Sequence, residues 1–340
     1  MKKVIMNNIV VLFICLSLFS CTGDESFIVD NIKSTAAMVV GNNGAILKSN
    51  DGSLKEWEKI TQSAYNGINF TSIAGNRKEL IVVGTKGTIL ISTDQGINWK
   101  TITPQDSADQ NITFTKVIVY QNQYFVVGYL NQSIKVVKLD SNSTTFSSFS
   151  ITNTTTTSRA SITFNKDLNQ LLIVADNNFF AFSNDNGNSW IKGTNNPGAL
   201  YAVIAIGDKY VIGGYKGKLS MVDNKPTATS FSTKDLIDST KAPVNINNIA
   251  FINDIGIAVG NSWTIIMGNT NSNSWTINQI KEFQNFNFTD ICAYKNSYYF
   301  LATSSSANKI LTTTNGKDIN TIYSEANAGY NSIILYNIDT

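Results

Sequence analysis

The sequence predicts an all-β fold, a seven-bladed β-propeller with four strands in each blade, and three observations support it. A strand that ends in Val-Gly or an equivalent pair recurs seven times, at intervals of 39 to 47 residues, the length of one propeller blade. A second apolar strand precedes most copies. The first and last units are incomplete in complementary ways, and no helical period of useful length competes.

The stretch Ile81–Trp99 shows the plan of one unit most clearly. An apolar β-branched run ends at Gly84, Lys86-Gly87 signals a tight turn, and an alternating strand leads to a second turn at Asp94-Gln95-Gly96. The seven marker positions that end the recurring strand are Gly41, Gly84, Gly128, Ala175, Gly214, Gly260 and Thr303.

An inner strand is predicted before each marker strand except the first. The segment Asn331–Ile338 is an inner strand with nothing after it, so it is expected to complete the first blade and close the ring. An open β-solenoid is the alternative, but it would need caps at both ends and would not explain the complementary incomplete units.

Two polar segments interrupt this plan. In the tract Ser141–Ser158, the apolar residues Phe146, Phe149 and Ile151 predict an outer strand, and a mobile loop is expected over 153–158. A second insertion is expected over Thr233–Val244.

Composition excludes several classes of function. The 340 residues carry 26 basic and 24 acidic side chains, a net charge of +2 without a basic block, which argues against a nucleic-acid partner. The chain has no histidine and only two arginines, Arg77 and Arg159. A histidine-ligated metal, a histidine-dependent triad and a histidine general base are therefore excluded, and neither a cofactor nor a metal is predicted.

The N-terminus predicts export. Residues 1–20 combine a charged start with a short apolar run, and the sequence around Cys21 resembles a bacterial lipobox. That resemblance implies a lipidated Cys21 in a polar tether over 21–34, with the propeller over 35–340. Ordinary signal-peptide cleavage is the alternative. We expect a lipid-anchored envelope protein, with outer-membrane residence favoured because Thr22 follows the cysteine where an Asp is linked to inner-membrane retention. Which membrane face it occupies is left open.

Two turns resemble the Asp-box, or BNR repeat, S-x-D-x-G-x-[ST]-W. They contribute Ser92, Asp94, Gly96 and Trp99 in one copy and Ser183, Asp185, Gly187 and Trp190 in the other. The aspartates are expected to accept backbone N–H groups of their own turns, as structural staples rather than catalytic acids.

The pattern VVGxxGxIlxSxDxGxxW resembles the photosystem II assembly and stability factor-like group of BNR propellers, and more distantly sialidases and sortilin-type receptors. The first resemblance implies the fold and protein binding. Sialidase activity does not carry over, because that family clamps its substrate with three arginines and this chain has two.

Two groups of residues are candidates for a binding site. Equivalent inner-strand positions should line the central channel, where Lys116 and Asp290 either bind a polar ligand or simply solvate the channel. Tyr129, Tyr215 and Trp263 lie at strand-joining turns and either form an aromatic face or pack between blades. No pair of catalytic carboxylates is identifiable.

The sequence is therefore interpreted as a non-enzymatic, monomeric propeller that binds or assembles an envelope protein. A glycan-binding or carbohydrate-active propeller is the alternative from another class, and a structural envelope protein without a dedicated ligand is a third.

Overall fold

A computed structural model describes residues 34–338 except 61, 77, 153–156, 223–224, 242–243, 273 and 327–328. The expected signal peptide, Cys21 and its tether, and Arg77 lie outside the described residues. Thr35–Ile338 forms one compact unit. Among the described residues, no helix has the length and apolar character needed to span a membrane.

Thirty strands and six 3-10 turns make up the described chain, which contains no α-helix within those residues. The strands are β1 (Ser34–Gly41), β2 (Ile46–Ser49), β3 (Glu58–Ile60), β4 (Phe70–Gly75), β5 (Leu80–Gly84), β6 (Ile89–Ser92), β7 (Lys100–Thr101), β8 (Thr103–Pro104), β9 (Thr113–Tyr120), β10 (Gln123–Leu130), β11 (Ser133–Asp140), β12 (Thr145–Phe146), β13 (Phe149–Thr152), β14 (Ala160–Asn165), β15 (Gln170–Ala175), β16 (Phe179–Ser183), β17 (Ile191–Lys192), β18 (Leu200–Ile206), β19 (Lys209–Gly214), β20 (Leu219–Val222), β21 (Thr233–Asp235), β22 (Ile246–Ile252), β23 (Ile255–Gly260), β24 (Thr264–Asn269), β25 (Ser274–Gln279), β26 (Asn287–Tyr294), β27 (Ser297–Thr303), β28 (Asn308–Thr313), β29 (Asn320–Glu325) and β30 (Tyr330–Ile338). The 3-10 turns span Asn42–Gly44, Ser63–Tyr65, Ser107–Asn111, Tyr215–Gly217, Ser239–Lys241 and Lys281–Phe283.

These strands form seven four-stranded sheets, which confirms the predicted seven-bladed propeller. From the channel outward, the blades are β30-β1-β2-β3 (blade 1), β4-β5-β6-β7 (blade 2), β9-β10-β11-β13 (blade 3), β14-β15-β16-β17 (blade 4), β18-β19-β20-β21 (blade 5), β22-β23-β24-β25 (blade 6) and β26-β27-β28-β29 (blade 7).

The ring is closed by the C-terminal strand, as predicted. β30 is the innermost strand of blade 1 and contacts the inner strands on both sides, β26 and β4. The Asn331 side chain donates to Asn42 Oδ1 at 2.8 Å and to the Phe70 carbonyl at 2.7 Å, so it joins blade 1 to blade 2. This closure rules out the open solenoid.

The apolar core lies between the blades. Seven buried clusters occur, and each draws its side chains from two neighbouring blades. Because successive residues of a strand point to opposite faces, Ile81 packs toward blade 3 while Leu80 and Val82 pack toward blade 1. Both faces of β5 are therefore buried, which is why the second strands read as continuous apolar runs.

The marker glycines are explained by close backbone approach. A Cβ on Gly84 would lie 2.4 Å from the carbonyl oxygen of Asn69, and the next residue, Thr85, donates its N–H to that same oxygen at 3.0 Å. Comparable carbonyl approaches occur at Gly41, Gly128, Gly214 and Gly260. In blade 7 the register pairs Ala302 with Phe288, as Gly84 pairs with Phe70, so the seventh marker is Ala302 rather than Thr303.

The two predicted insertions differ in part from their expected structure. In the first tract, Phe149–Thr152 forms the outer strand of blade 3, but Thr145–Phe146 pairs in parallel with β8, next to blade 2. Most of the expected mobile loop, residues 153–156, lies outside the described residues. In the second segment, Thr233–Asp235 is the fourth strand of blade 5 rather than an insertion.

Candidate functional site

The Asp-box turns join the third and fourth strands of their blades. Asp94 accepts the backbone N–H groups of Ile97 at 3.1 Å and Asn98 at 2.8 Å, and the Ser92 hydroxyl at 2.8 Å. Burial acts to raise the pKa of Asp94, but these bonds outweigh it and hold the pKa below its ordinary value. Asp185 has the same arrangement with Ser183 and Ser189.

These turns also contact the preceding blade, which sequence reasoning missed. A Cβ on Gly96 of blade 2 would lie 2.3 Å from Met38 Cε of blade 1, and one on Gly187 of blade 4 would lie 2.8 Å from the Phe125 ring of blade 3. Trp99 packs with residues of both blades 1 and 2. Trp190 lies likewise between blades 3 and 4.

The channel contains a polar floor in which Lys116 and Asp290 meet. Lys116 Nζ lies 4.0 Å from Asp290 Oδ1, so the two side chains span the channel between blades 3 and 7. Asp290 also accepts the Ser332 hydroxyl at 2.8 Å, the Ile333 N–H at 2.9 Å and the side-chain amide of Asn248. A cavity of about 100 Å³ is left beside them, which we call the floor cavity.

A wider cavity of about 390 Å³ opens above the floor, and we call it the mouth cavity. Both cavities share lining from residues where the inner strand bulges against its neighbour. These bulge residues are Thr71, Thr115, Tyr201, Asn247 and Thr289. Because a β-bulge re-aims the extra side chain, the bulges explain why these five side chains line the cavities.

Most bulge side chains also donate a hydrogen bond to a backbone carbonyl of the next blade. Thr71 Oγ1 donates to the Phe114 carbonyl at 2.7 Å, and Thr115 Oγ1 donates to the Ala160 carbonyl at 2.7 Å. Thr289 Oγ1 differs, because it is buried and has no hydrogen-bond partner among the described residues.

Blade 4 interrupts this ring of bulges, and Arg159 lies at the interruption. Ala160 and Ser161 pair with consecutive residues of β15 without a register shift. The Arg159 guanidinium lies 4.8 Å from the Tyr201 ring and donates from Nη1 to Asn247 Oδ1 at 3.1 Å. It is exposed and is the only charged group among the described residues that line the mouth cavity. Sequence reasoning counted this arginine but did not place it in a site.

The predicted aromatic residues divide into one exposed ring and two packed ones. Tyr215 is 50% exposed and lies close enough to Tyr201 to act on its pKa, which burial raises and Arg159 partly lowers. Lys216 Nζ lies 5.2 Å from the Tyr215 ring. Trp263 is half-buried against the core between blades 6 and 7, and Tyr129 is half-buried in β10. Neither lines the two channel cavities as described.

Two further observations concern metal binding and the reactivity of the Cys292 thiol. The described residues contain no cluster of histidine, cysteine and carboxylate side chains that would hold a metal ion. Cys292 packs against the core between blades 7 and 1, and burial raises the pKa of its thiol. That environment suits a small apolar side chain better than a nucleophile.

Two family models match the sequence. One, described as the DUF6242 beta propeller domain, matches residues 96–273, and one described as photosynthesis system II assembly factor YCF48 matches residues 20–108. None of the curated proteins compared with the chain matches it.

Solved structures share the fold at low sequence identity. YCF48 bound to D1 peptide is 14% identical with a TM-score of 0.61, covering 78% of this chain and 85% of its own. YCF48 from Cyanidioschyzon merolae is 16% identical with a TM-score of 0.60, covering 83% and 91%. A computationally designed protein, Ika8, is 12% identical with a TM-score of 0.56, covering 87% and 86%.

Proposed function

This chain belongs to the family of DUF6242 β-propeller domains, and we propose that it is a binding module that holds a protein partner on one face of the ring. That face, the mouth face, is the end where each inner strand begins and where the second and third strands are joined. It carries the mouth cavity, Arg159, Tyr201 and the exposed Tyr215.

The mouth cavity is the observation that carries this proposal. Its volume suits side chains of an extended segment, and its lining of amide and hydroxyl groups with one guanidinium suits hydrogen bonding to a peptide. The solved complex of YCF48 with D1 peptide supports it by analogy, since a propeller with this fold was captured with a peptide.

The carbohydrate alternative has one observation in its favour, the aromatic pair Tyr201 and Tyr215 at the cavity edge. Hydrolysis of a glycosidic bond ordinarily requires two carboxylates facing one bond. The described lining of the two cavities contains one, Asp290, and that carboxylate is buried and engaged by Ser332, Ile333 and Asn248. We therefore favour binding over catalysis.

We further propose that the module is held at the bacterial cell envelope, on the outer membrane, by a lipid on Cys21. The lipobox-like sequence before Cys21 supports this. Metabolic labelling with a clickable fatty acid should label the wild-type chain and not a Cys21→Ala variant. Equal labelling of both forms would exclude this anchor.

Site-specific photocrosslinking in intact cells tests the binding face. A benzoylphenylalanine placed at Tyr215 should crosslink to one defined envelope protein, through one segment of that protein. The matched control replaces Ile97, which is 66% exposed on a turn at the opposite end of the ring. Equal crosslinking from both positions, or none from either, would overturn the proposal. Retention of the purified chain on surface glycans in place of a protein would favour the alternative.

A further inference from the structure

We infer that the mouth cavity is a carboxylate-binding subsite and that Arg159 gives it its specificity. The inference rests on the proposed function and deepens it, because it identifies the chemistry of the partner segment. The bound group would be the carboxylate of an acidic side chain or of a peptide C-terminus.

Charge is the first argument. On the floor of the channel, the ammonium of Lys116 is offset by Asp290 at 4.0 Å. Among the described residues, the Arg159 guanidinium takes part in no ion pair within 4.0 Å. The neighbouring carboxylate, Asp176, accepts the Ser158 hydroxyl and the backbone N–H of Arg159 and is not part of the cavity lining, so the one charged group of that lining is a cation without an ion-pair partner. One unbalanced cation in a polar cavity attracts a monoanion.

The orientation of Arg159 is the second argument. The contact with the Tyr201 ring and the hydrogen bond to Asn247 hold the guanidinium between blade 5 and blade 6. A guanidinium has five N–H donors, and among the described residues Arg159 donates from Nη1 alone, so the N–H groups of Nε and Nη2 remain available to a ligand. Two donors in a fixed fork match the two oxygens of a carboxylate, and less side-chain freedom is lost on binding.

The neutral lining is the third argument, because it offers donors. Asn69 uses its side-chain oxygen to accept the N–H of Asn43 at 3.0 Å, and Thr85 uses its hydroxyl oxygen to accept the N–H of Asn69 at 3.0 Å. The Asn69 amide N–H groups and the Thr85 O–H have no acceptor among the described residues. A group that only accepts hydrogen bonds, as a carboxylate does, complements such a lining.

A carboxylate fits better than a phosphate. A phosphate monoester carries a charge between −1.5 and −2 near neutral pH. The mouth supplies one free positive charge, and the buried Asp290 lies directly below it. The second negative charge of a phosphate would therefore be unmatched.

A peptide library tests the inference. The probe is a set of immobilised N-acetylated heptapeptides, in which acidic, neutral and phosphoserine members are matched in length, with free and amidated C-termini. The full chain with Cys21→Ala is applied as wild type, Arg159→Gln and Arg159→Lys. Lys234→Gln is the matched control, since it removes one exposed positive charge from an outer strand. Thermal melting verifies that every variant is folded.

We expect wild type to retain peptides that carry a carboxylate, with affinity falling at least tenfold in Arg159→Gln and less in Arg159→Lys. Lys234→Gln should stay within twofold of wild type. If peptides bind without a carboxylate preference, or Arg159→Gln binds them as wild type does, the inference fails while the proposed function stands. Preference for phosphoserine also overturns it. If wild type holds no peptide, both fail.

Discussion

At the scale of single residues, the acidic side chains of this propeller serve mainly as acceptors within turns. Asp51 accepts three backbone N–H groups and two serine hydroxyls in a turn that departs from the Asp-box consensus. In blade 7, Asn315 does the same work with a neutral amide, accepting the N–H groups of Lys317 and Asp318 at 2.9 Å. Acceptor geometry, rather than charge, is therefore what these turns require.

Removal of the Asp94 acceptor should destabilise the fold. In Asp94→Ala the N–H groups of Ile97 and Asn98 lose their partner, and the free energy of unfolding should fall by about 1–3 kcal/mol. Asp94→Asn should lower the free energy of unfolding less, because Asn315 accepts the equivalent N–H groups in blade 7. Urea denaturation measures both, with the exposed Asp208→Ala as control. An Asp94→Ala chain as stable as that control would contradict the assignment.

Asp185 should make stability depend on acid pH. Its bonds with the Ser189 side chain and N–H, then with Ser183, lower the pKa of the carboxyl from 3.8 to about 2. Since the pKa is lower in the folded chain, the stabilisation is present above about pH 4 and is lost as the pH falls through about 2. Asp185→Asn cannot titrate, so its stability deficit against wild type should shrink between pH 5 and about pH 2 in denaturation curves. A constant deficit would show that this carboxyl does not contribute to the acid dependence.

At this scale, the positions of residues in the fold were easier to predict from the sequence than the contacts that those residues make. The sequence placed Lys116 and Asp290 in the channel because equivalent positions of a repeat share a face. The sequence did not place Arg159 in a site, because the bulges that shape the mouth cavity come from strand register, and blade 4 lacks the bulge. Register depends on the partner strand, which residue types along one strand do not specify.

At the scale of the strand pair, the marker glycine allows two strands to approach at the mouth face. Gly84→Ala would place a Cβ 2.4 Å from the Asn69 carbonyl, and a backbone atom cannot move aside as a flexible side chain can. We expect a loss of about 1–3 kcal/mol in the free energy of unfolding. Blade 7 carries alanine at this register position, so Ala302→Gly, the matched control, should cost under about 1 kcal/mol. Equal effects of the two substitutions would refute the close-approach explanation.

Strand identity was predictable because each blade is buried on both faces and the pattern repeats seven times. The pairing of strands was harder to predict than their positions. Thr145–Phe146 has the alternation of an outer strand, yet it pairs with Thr103–Pro104 instead of its own blade. Gln105 Nε2 donates to Thr145 at 3.1 Å, and Asp109 accepts the Ser148 N–H at 3.1 Å, so local side-chain bonds fix this excursion. Such bonds involve residues roughly 40 apart and leave no periodic signal.

At the scale of the whole ring, Asp290 links the blades that meet where the ring closes. It binds Asn248 of blade 6, Ser332 and Ile333 of blade 1, and Lys116 across the channel. Asp290→Ala should cost about 3 kcal/mol, since several buried donors lose one acceptor. Lys116→Met should cost less, because the 4.0 Å contact is long and Lys116 is partly exposed. Thermal denaturation compares them, and the reverse order would show that the ion pair dominates.

Loss of β30 should abolish cooperative folding of the ring. A chain that ends before Tyr330 lacks the inner strand of blade 1 and the buried residues Ile333, Leu335 and Tyr336. We expect a broad, non-cooperative denaturation curve and rapid proteolysis. A chain that ends at Ile338 is the control and should unfold as wild type does. Sharp unfolding of the shorter chain would mean that six blades and a partial sheet suffice.

The position of β30 also sets an order of events during synthesis. The first three strands of blade 1 leave the ribosome early, whereas Asn331, which bonds Asn42, follows 289 residues later. Until then the β1 edge stays unpaired, and an unpaired strand edge invites aggregation. Whether the chain emerges from a ribosome or, as proposed above, crosses a membrane from its N-terminus, blade 1 would therefore be completed last, and a factor that shields the β1 edge would act until β30 has emerged.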